Sequence, residues 1–161
     1  RMSSRPIARR LCSLRDDIAN NRTVFGGILR GERSVRVLHD DAEYMAFRNI
    51  KPYAPLAALV IPKRFVEQDP MGLGAEHLET VSRMREIGLA VIARDQPVAS
   101  GARDFWLKFH KPPHISVEHL HLHVIAPVST ISKWDTIVRF CDEGLACDVL
   151  DVLARLRTIG G

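Results

Sequence analysis

Between His119 and Val124 the chain alternates polar and apolar positions: His119, Leu120, His121, Leu122, His123, Val124. A period of two is the period of a strand. The pattern predicts a strand over 118–125 with imidazoles on one face and Leu120, Leu122 and Val124 on the core face. Further strands are predicted near 34–39, 43–48, 57–62 and 103–109. In the last of these Phe105, Leu107 and Phe109 make one face, and Asp104, Trp106, Lys108 and His110 make the other. Helical spacing of Leu78, Val81, Met84, Val91 and Ile92 predicts a helix over 75–94. Leu145, Val149, Val152, Leu153 and Leu156 form the stripe of a final helix over about 142–157. The stretch 95–101, with Pro97, Ser100 and Gly101, reads as a loop. Helix, strands, helix, strands, helix is the order of an α+β fold with an antiparallel sheet.

Three of the seven histidines fall within five residues, where no core packing needs them. Two chemistries suit that spacing. Histidines at i and i+2 on a strand can share a zinc ion. His119 and His123, however, would lie roughly 13 Å apart at about 3.3 Å per residue, too far for one tetrahedral ion with Zn–N bonds of about 2.0–2.1 Å to hold all three. Alternatively, neutral imidazole is a competent nucleophile near neutral pH, and its neighbours can fix its tautomer. His121 would then attack, flanked by His119 and His123.

Composition narrows the classes. At 161 residues and 46% hydrophobic the chain suits one domain with its own core. A net charge of +4 suits a phosphate-bearing ligand but is too diffuse for a nucleic-acid groove. No apolar run approaches the roughly 20 residues of a membrane span. Cys12, Cys141 and Cys147 are odd in number and lack a CxxC spacing, so a reducing compartment is expected rather than a disulfide framework. At the N-terminus, Arg1, Arg5, Arg9, Arg10 and Arg15 with Ser3, Ser4 and Ser13 read faintly like a mitochondrial transit peptide. An amphipathic helix from Arg5 to Asn20, with Ile7, Leu11, Leu14 and Ile18 on one face, fits better. A cytoplasmic, nuclear or mitochondrial location is expected.

The run His-φ-His-φ-His-φ-φ, with φ apolar, resembles the defining motif of the histidine triad (HIT) family of nucleotide hydrolases and transferases. The resemblance extends upstream. The segment from Val24 to Glu32 resembles the family's opening helix, and 37–41 and 44–47 resemble its first two strands. Asn49-Ile50-Lys51-Pro52, Ala54-Pro55 and the run from Leu59 to Arg64 match its "D-I-x-P-x-A-P…L-V-I-P-K" block. Phe109-His110-Lys111-Pro112-Pro113, through Ser116 to His123, is similar to a run in the Hint-like adenosine phosphoramidases nearest aprataxin. The tail after Pro127 resembles that branch's C-terminal extension.

The resemblance implies a HIT-like fold with a five-stranded antiparallel sheet and a long helix. Residues 23–127 would form the HIT domain, flanked by helical extensions at 1–22 and 128–161, the latter packed on the domain. It implies a homodimer, a purine nucleotide substrate, and no membrane or nucleic-acid partner. His121 would attack the α-phosphorus to give a covalent nucleotidyl-histidine. His123 and Ser116 would hold phosphate oxygens, and His119 would orient the neighbouring loop. Phe25 and Ile28 would flank the base, while Phe47, Asn49, Ile50 and Leu59 would line base and ribose. Lys108 and His110 would share the imidazole face near the phosphate.

Several positions depart from the family pattern. Asn49 stands where Asp is usual, and should bind ribose more weakly as a neutral acceptor. Thr23, Gly26 and Ala57 occupy positions where many members carry zinc ligands completed by the first triad histidine. No metal and no cofactor is therefore expected. Lys108 to His114 replace the glycine-rich phosphate loop of the commoner Hint proteins, and Ile115 replaces their glutamine. The alternatives are hydrolysis of dinucleoside polyphosphates or of adenylated DNA, and a low-activity dimeric module that binds a nucleotide or a protein. Cys141 and Cys147 with no downstream histidine cannot supply the zinc finger that aprataxin adds.

Overall fold

The computed structural model describes residues 13–161. The expected N-terminal helix is seen in part, as α1 (Leu14–Asn20). The Ser13 hydroxyl caps it by accepting from the Asp16 amide at 3.1 Å. The rest of that expectation, and the transit-peptide arginines from Arg1 to Arg10, lie outside the described residues. Helix α2 (Val24–Leu29) follows, capped by the Thr23 hydroxyl.

Six antiparallel strands make one sheet: β1 (Val37–Asp40), β2 (Tyr44–Arg48), β3 (Leu56–Pro62), β4 (Trp106–His110), β5 (Leu122–Ala126) and β6 (Ala146–Asp148). Their spatial order is β1-β2-β3-β5-β4-β6. The five predicted strands are present, and β6 is a sixth that the residue pattern did not reveal. It occupies the start of the predicted final helix, which begins instead at Val149 as α6 (Val149–Gly160). Helix α3 (Leu78–Asp95) fills the long predicted helix. The predicted loop after it is a short helix, α4 (Pro97–Ala102). Proline at the first helical turn is well tolerated, because its missing N–H has no partner there anyway. A further helix, α5 (Trp134–Cys141), lies in the tail. Among the described residues, no helix is long and apolar enough to cross a membrane.

The strands β2, β3 and β5 are buried on both faces. On one face Ala46, Ala58, Val60, Leu107, Leu122 and Val124 pack beneath α3 and α6 in the main core. The stripe Val149, Val152, Leu153 and Leu156 of α6 belongs to that core, so α6 is part of it. On the other face Met45, Phe47, Leu59 and Ile61 pack against Phe25 and Ile28 of α2. The register aligns Phe47, Leu59, His123 and Lys108 in one row across four strands.

Gly88 of α3 faces the sheet directly. A Cβ there would lie 3.0 Å from Leu107 Cδ2 and 3.2 Å from Val124 Cγ2. Gly88→Leu should therefore destabilise the protein by about 1–3 kcal/mol through overpacking. By contrast, a Cβ on Gly101 in α4 would meet nothing within 4 Å. Gly101→Ala should stabilise by up to about 1 kcal/mol. Urea denaturation of both variants checks the opposite signs.

Candidate active site

The alternation of the triad is only partly a strand. His123 sits in β5, whereas His119 and His121 precede it in irregular backbone. Leu120, Leu122 and Val124 still enter the main core together, so the period of two survives on that side. What changes is the imidazole side, where the three rings do not stand in one row.

His119 is buried and does not line the cleft described below. Its Nε2 lies 2.8 Å from the Pro62 carbonyl and its Nδ1 lies 2.8 Å from the Asn21 side-chain amide. A carbonyl can only accept and an NH2 donates, so the ring is neutral with its proton on Nε2. Asn21 Oδ1 in turn accepts from the Thr23 amide and hydroxyl, at 3.0 and 2.7 Å. The rings of Phe25 and Phe65 pack edge-on against it at 5.7 and 5.5 Å.

His121 is set by two backbone bonds. Its Nδ1 donates to the His119 carbonyl at 2.7 Å. Its own amide donates to Gln68 Oε1 at 2.9 Å, and Gln68 Nε2 donates to the His110 carbonyl at 2.8 Å. Gln68, 1% exposed, thus ties the end of β4 to the approach of β5. With its proton on Nδ1, His121 presents an unprotonated Nε2. Burial pushes its pKa down to about 4, so the ring is neutral throughout the physiological range.

Next to it, His123 lies 5.2 Å from His121 and 4.4 Å from His110 between ring centroids. Burial holds His123 well below its usual pKa, and the neighbouring His121 and His110 add to the effect. Burial likewise takes His110 down to about 4. Both nitrogens of His123 and Nε2 of His110 are buried without a hydrogen-bond partner. Buried polar groups are rarely left unpaired. Three such nitrogens side by side mark where a ligand's polar atoms belong.

A cleft of about 420 Å³ opens over these rings. Of the residues singled out from the sequence, Phe25, Ile28, Phe47, Asn49, Ile50, Leu59, His110, Ser116, His121 and His123 all line it. Phe25 packs edge-on against Phe47 at 5.7 Å and against His121 at 5.1 Å, so the apolar end abuts the imidazoles. Ile50 stands at the mouth, 92% exposed. Asn49 Oδ1 already accepts from the Lys51 amide at 3.1 Å, which orients the side chain. Two expected residues lie elsewhere. His119 does not line the cleft, and Lys108 turns away to donate to the Phe140 carbonyl at 2.9 Å, over the Trp106 ring. Phe140 from α5 takes the place beside the triad, stacking on His110 at 4.7 Å and meeting His123 at 5.2 Å. Lys51, Tyr53, His114 and Arg139 also line the cleft, unannounced by the motif.

The zinc site of some family members does not fit these residues. Thr23, Gly26 and Ala57 supply no ligand of the usual kind, and both nitrogens of His119 are engaged. A Cβ on Gly26 would come within 2.1 Å of the Asn21 carbonyl oxygen. A cysteine there is incompatible with this position of Asn21.

Comparison with known proteins agrees with the geometry. The model of the family described as scavenger mRNA decapping enzyme C-term binding matches residues 22–137. A relative from Danio rerio, named adenosine 5'-monophosphoramidase HINT3, is 37% identical over 120 residues, covering 74% of this chain and 73% of its own. One from Arabidopsis thaliana, named bifunctional adenosine 5'-phosphosulfate phosphorylase/adenylylsulfatase HINT4, is 33% identical over 119 residues, covering 73% of this chain and 78% of its own. Among solved structures, a HIT family hydrolase from Legionella pneumophila Philadelphia 1 superposes with a TM-score of 0.57 at 25% identity, over 64% of this chain and 90% of its own. On its triad, its fold and these relatives, the chain belongs to the histidine triad family.

Proposed function

We propose that the chain is a nucleotide-binding hydrolase that cleaves adenosine 5'-phosphoramidates, or related nucleoside monophosphate derivatives, through a covalent nucleotidyl-His121. The observation that carries this reading is the neutral His121, with Nδ1 bonded to a carbonyl and Nε2 free beside three unpartnered imidazole nitrogens. The adenosine monophosphoramidase name of the Danio rerio relative supports it.

The base would lie between Phe25, Ile28, Phe47 and Leu59, and Asn49 would meet the ribose. The α-phosphate would sit over His123 and Ser116, whose N–H and O–H groups donate to its oxygens, with His110 beside them, its own ring proton held by the Arg139 carbonyl. His121 Nε2 attacks phosphorus as the bond to the leaving nitrogen breaks. That nitrogen departs with the electron pair and takes a proton from solvent. The His121 ring keeps its Nδ1 proton against the His119 carbonyl, which stabilises the imidazolium form created by the new P–N bond. Water then attacks phosphorus, the pair returns to Nε2, and one water proton goes back to solvent. Splitting one displacement into two is the gain of covalent catalysis. Homodimer assembly, implied by the family resemblance, is part of the same proposal. Sedimentation of the full chain at twice its mass supports it, and a monomer removes it.

Hydrolysis of a fluorogenic adenosine phosphoramidate in the presence of EDTA tests the chemistry. Wild-type turnover should survive the chelator, and His121→Ala should lose at least about a thousandfold in kcat. Equal turnover in the variant overturns the mechanism. Should the chain be a binding module instead, labelled nucleotide would bind saturably and no adduct would be trapped in a His123 variant.

The acid limb of the pH profile is a second test. An imidazole with the ordinary value of 6.5 loses most of its neutral form by pH 5, whereas one at about 4 does not. The profile of kcat/KM, which reports the free enzyme, should therefore stay nearly flat from pH 7 to pH 5 and fall only toward pH 4. A limb centred near 6.5 would show that His121 is not desolvated in the free enzyme. Circular dichroism at each pH separates this from acid unfolding.

A further inference from the structure

Beyond His123 the cleft continues to an end that a nucleoside does not need. The apolar wall belongs to α2, β2 and β3, through Phe25, Ile28, Phe47 and Leu59. On the far side of His123 lie β4 and α5, and there the lining becomes His110, Tyr53, His114 and Arg139, with Lys51 from the loop between β2 and β3. Arg139 is placed by its neighbour, since Phe140 stacks on His110 and meets Tyr53 at 5.2 Å.

The charges at this end are all of one sign. No Asp or Glu lines the cleft among the described residues. Neither Lys51 nor Arg139 forms an ion pair among them. Asp135, one turn earlier on α5, does not line the cleft but the adjoining surface depression, which Arg139, His110 and His114 border as well. Both cations act on the triad side, where they oppose protonation of His110 and His123. A nucleoside phosphoramidate brings one negative charge, at phosphorus. The His123 ring and the Ser116 hydroxyl, both lining the cleft, already offer donors for it. Two full cations beyond those donors exceed what the α-phosphate requires, and a cleft lined by one sign of charge concentrates ligands of the other.

We propose that Lys51 and Arg139 form an anion subsite for the leaving group. The preferred substrates are then nucleoside monophosphate derivatives whose leaving group carries its own negative charge, as a carboxylate or a sulfate-like oxyanion. This rests on the hydrolase reading above and specifies its substrate class. The guanidinium fork of Arg139 can pair with two oxygens of either group, and Lys51 adds a point charge. For a leaving group joined through nitrogen the bond changes at phosphorus are those already described; sulfate would instead leave through oxygen, taking the electron pair of the P–O bond and needing no proton.

Two substrates that differ only in charge test it: AMP joined through nitrogen to glycine, and AMP joined through nitrogen to glycinamide. Wild type should cleave the glycine compound with a kcat/KM about tenfold higher. In Lys51→Gln/Arg139→Gln that ratio should fall toward one, and in the wild type it should fall as salt is added. A wild-type ratio near one, or a ratio unchanged in the double variant, overturns the subsite. Failure to cleave either compound overturns the hydrolase reading instead, so the two failures are distinct. The mixed anhydride of AMP with sulfate, as a third substrate, extends the subsite to a tetrahedral oxyanion if its kcat/KM falls in the double variant, and confines it to carboxylates if it does not.

Discussion

The bond from His121 Nδ1 to the carbonyl of His119, two residues away, is the constraint on which the site depends. A carbonyl has no proton to give, so it forces the ring proton onto Nδ1 and leaves the other nitrogen bare. Burial does the second half of the work by removing the charged form from the physiological range. Neither would suffice alone. A buried ring with no partner could hold its proton on either nitrogen, and an exposed ring with the same bond would be partly cationic near neutral pH. Together they give an imidazole whose Nε2 needs no deprotonation before it can act.

That bond requires irregular backbone. A regular strand would turn the His119 carbonyl sideways into the sheet ladder, where it pairs with the next strand. Here β5 begins only at Leu122, and the backbone ahead of it is held by substitutes for ladder bonds. Leu120 donates to the Val66 carbonyl and His121 donates to Gln68. Leu120 and Leu122 keep their places in the core, which fixes the alternation of sides while the carbonyl direction is freed. The triad motif is thus a strand pattern used at the point where a strand starts.

This explains what the sequence could and could not disclose. The long periodic elements were legible, because β2, β3, β4 and α3 owe their form to burial on faces that the residue pattern states. Helix α4 was not, because Pro97, Ser100 and Gly101 are as good at a helix start and end as in a loop. Strand β6 is three residues long, with no alternation to read, and exists only because the edge of β4 is there to pair with. The apolar lining and His110 followed from the motif. Gln68, 42 and 53 residues from its two partners, and Asn21, 98 residues from His119, did not. Their side chains act on groups that only the fold brings near. Lys108 failed in the opposite way. Its strand face was read correctly, opposite His123 in register, but a long flexible stem let its ammonium reach the Phe140 carbonyl instead.

The first histidine of the triad is held here by hydrogen bonds at both of its nitrogens. Where a metal would fix His119 from one nitrogen, here an amide and a carbonyl fix it from both. The amide is itself held by Thr23, which at the same time caps α2 and so presents Phe25 to the cleft. Gly26 completes the arrangement by lacking a Cβ where the Asn21 carbonyl passes, and Arg30 closes it by donating to that carbonyl at 2.6 Å. Thr23, Gly26 and Asn21 therefore form one unit. A cysteine restored at Gly26 alone would displace Asn21 and strip His119 of its amide partner before any metal could replace it. The departures at these positions are coupled by sterics, and exchange between the two ways of holding His119 must pass through a less stable chain.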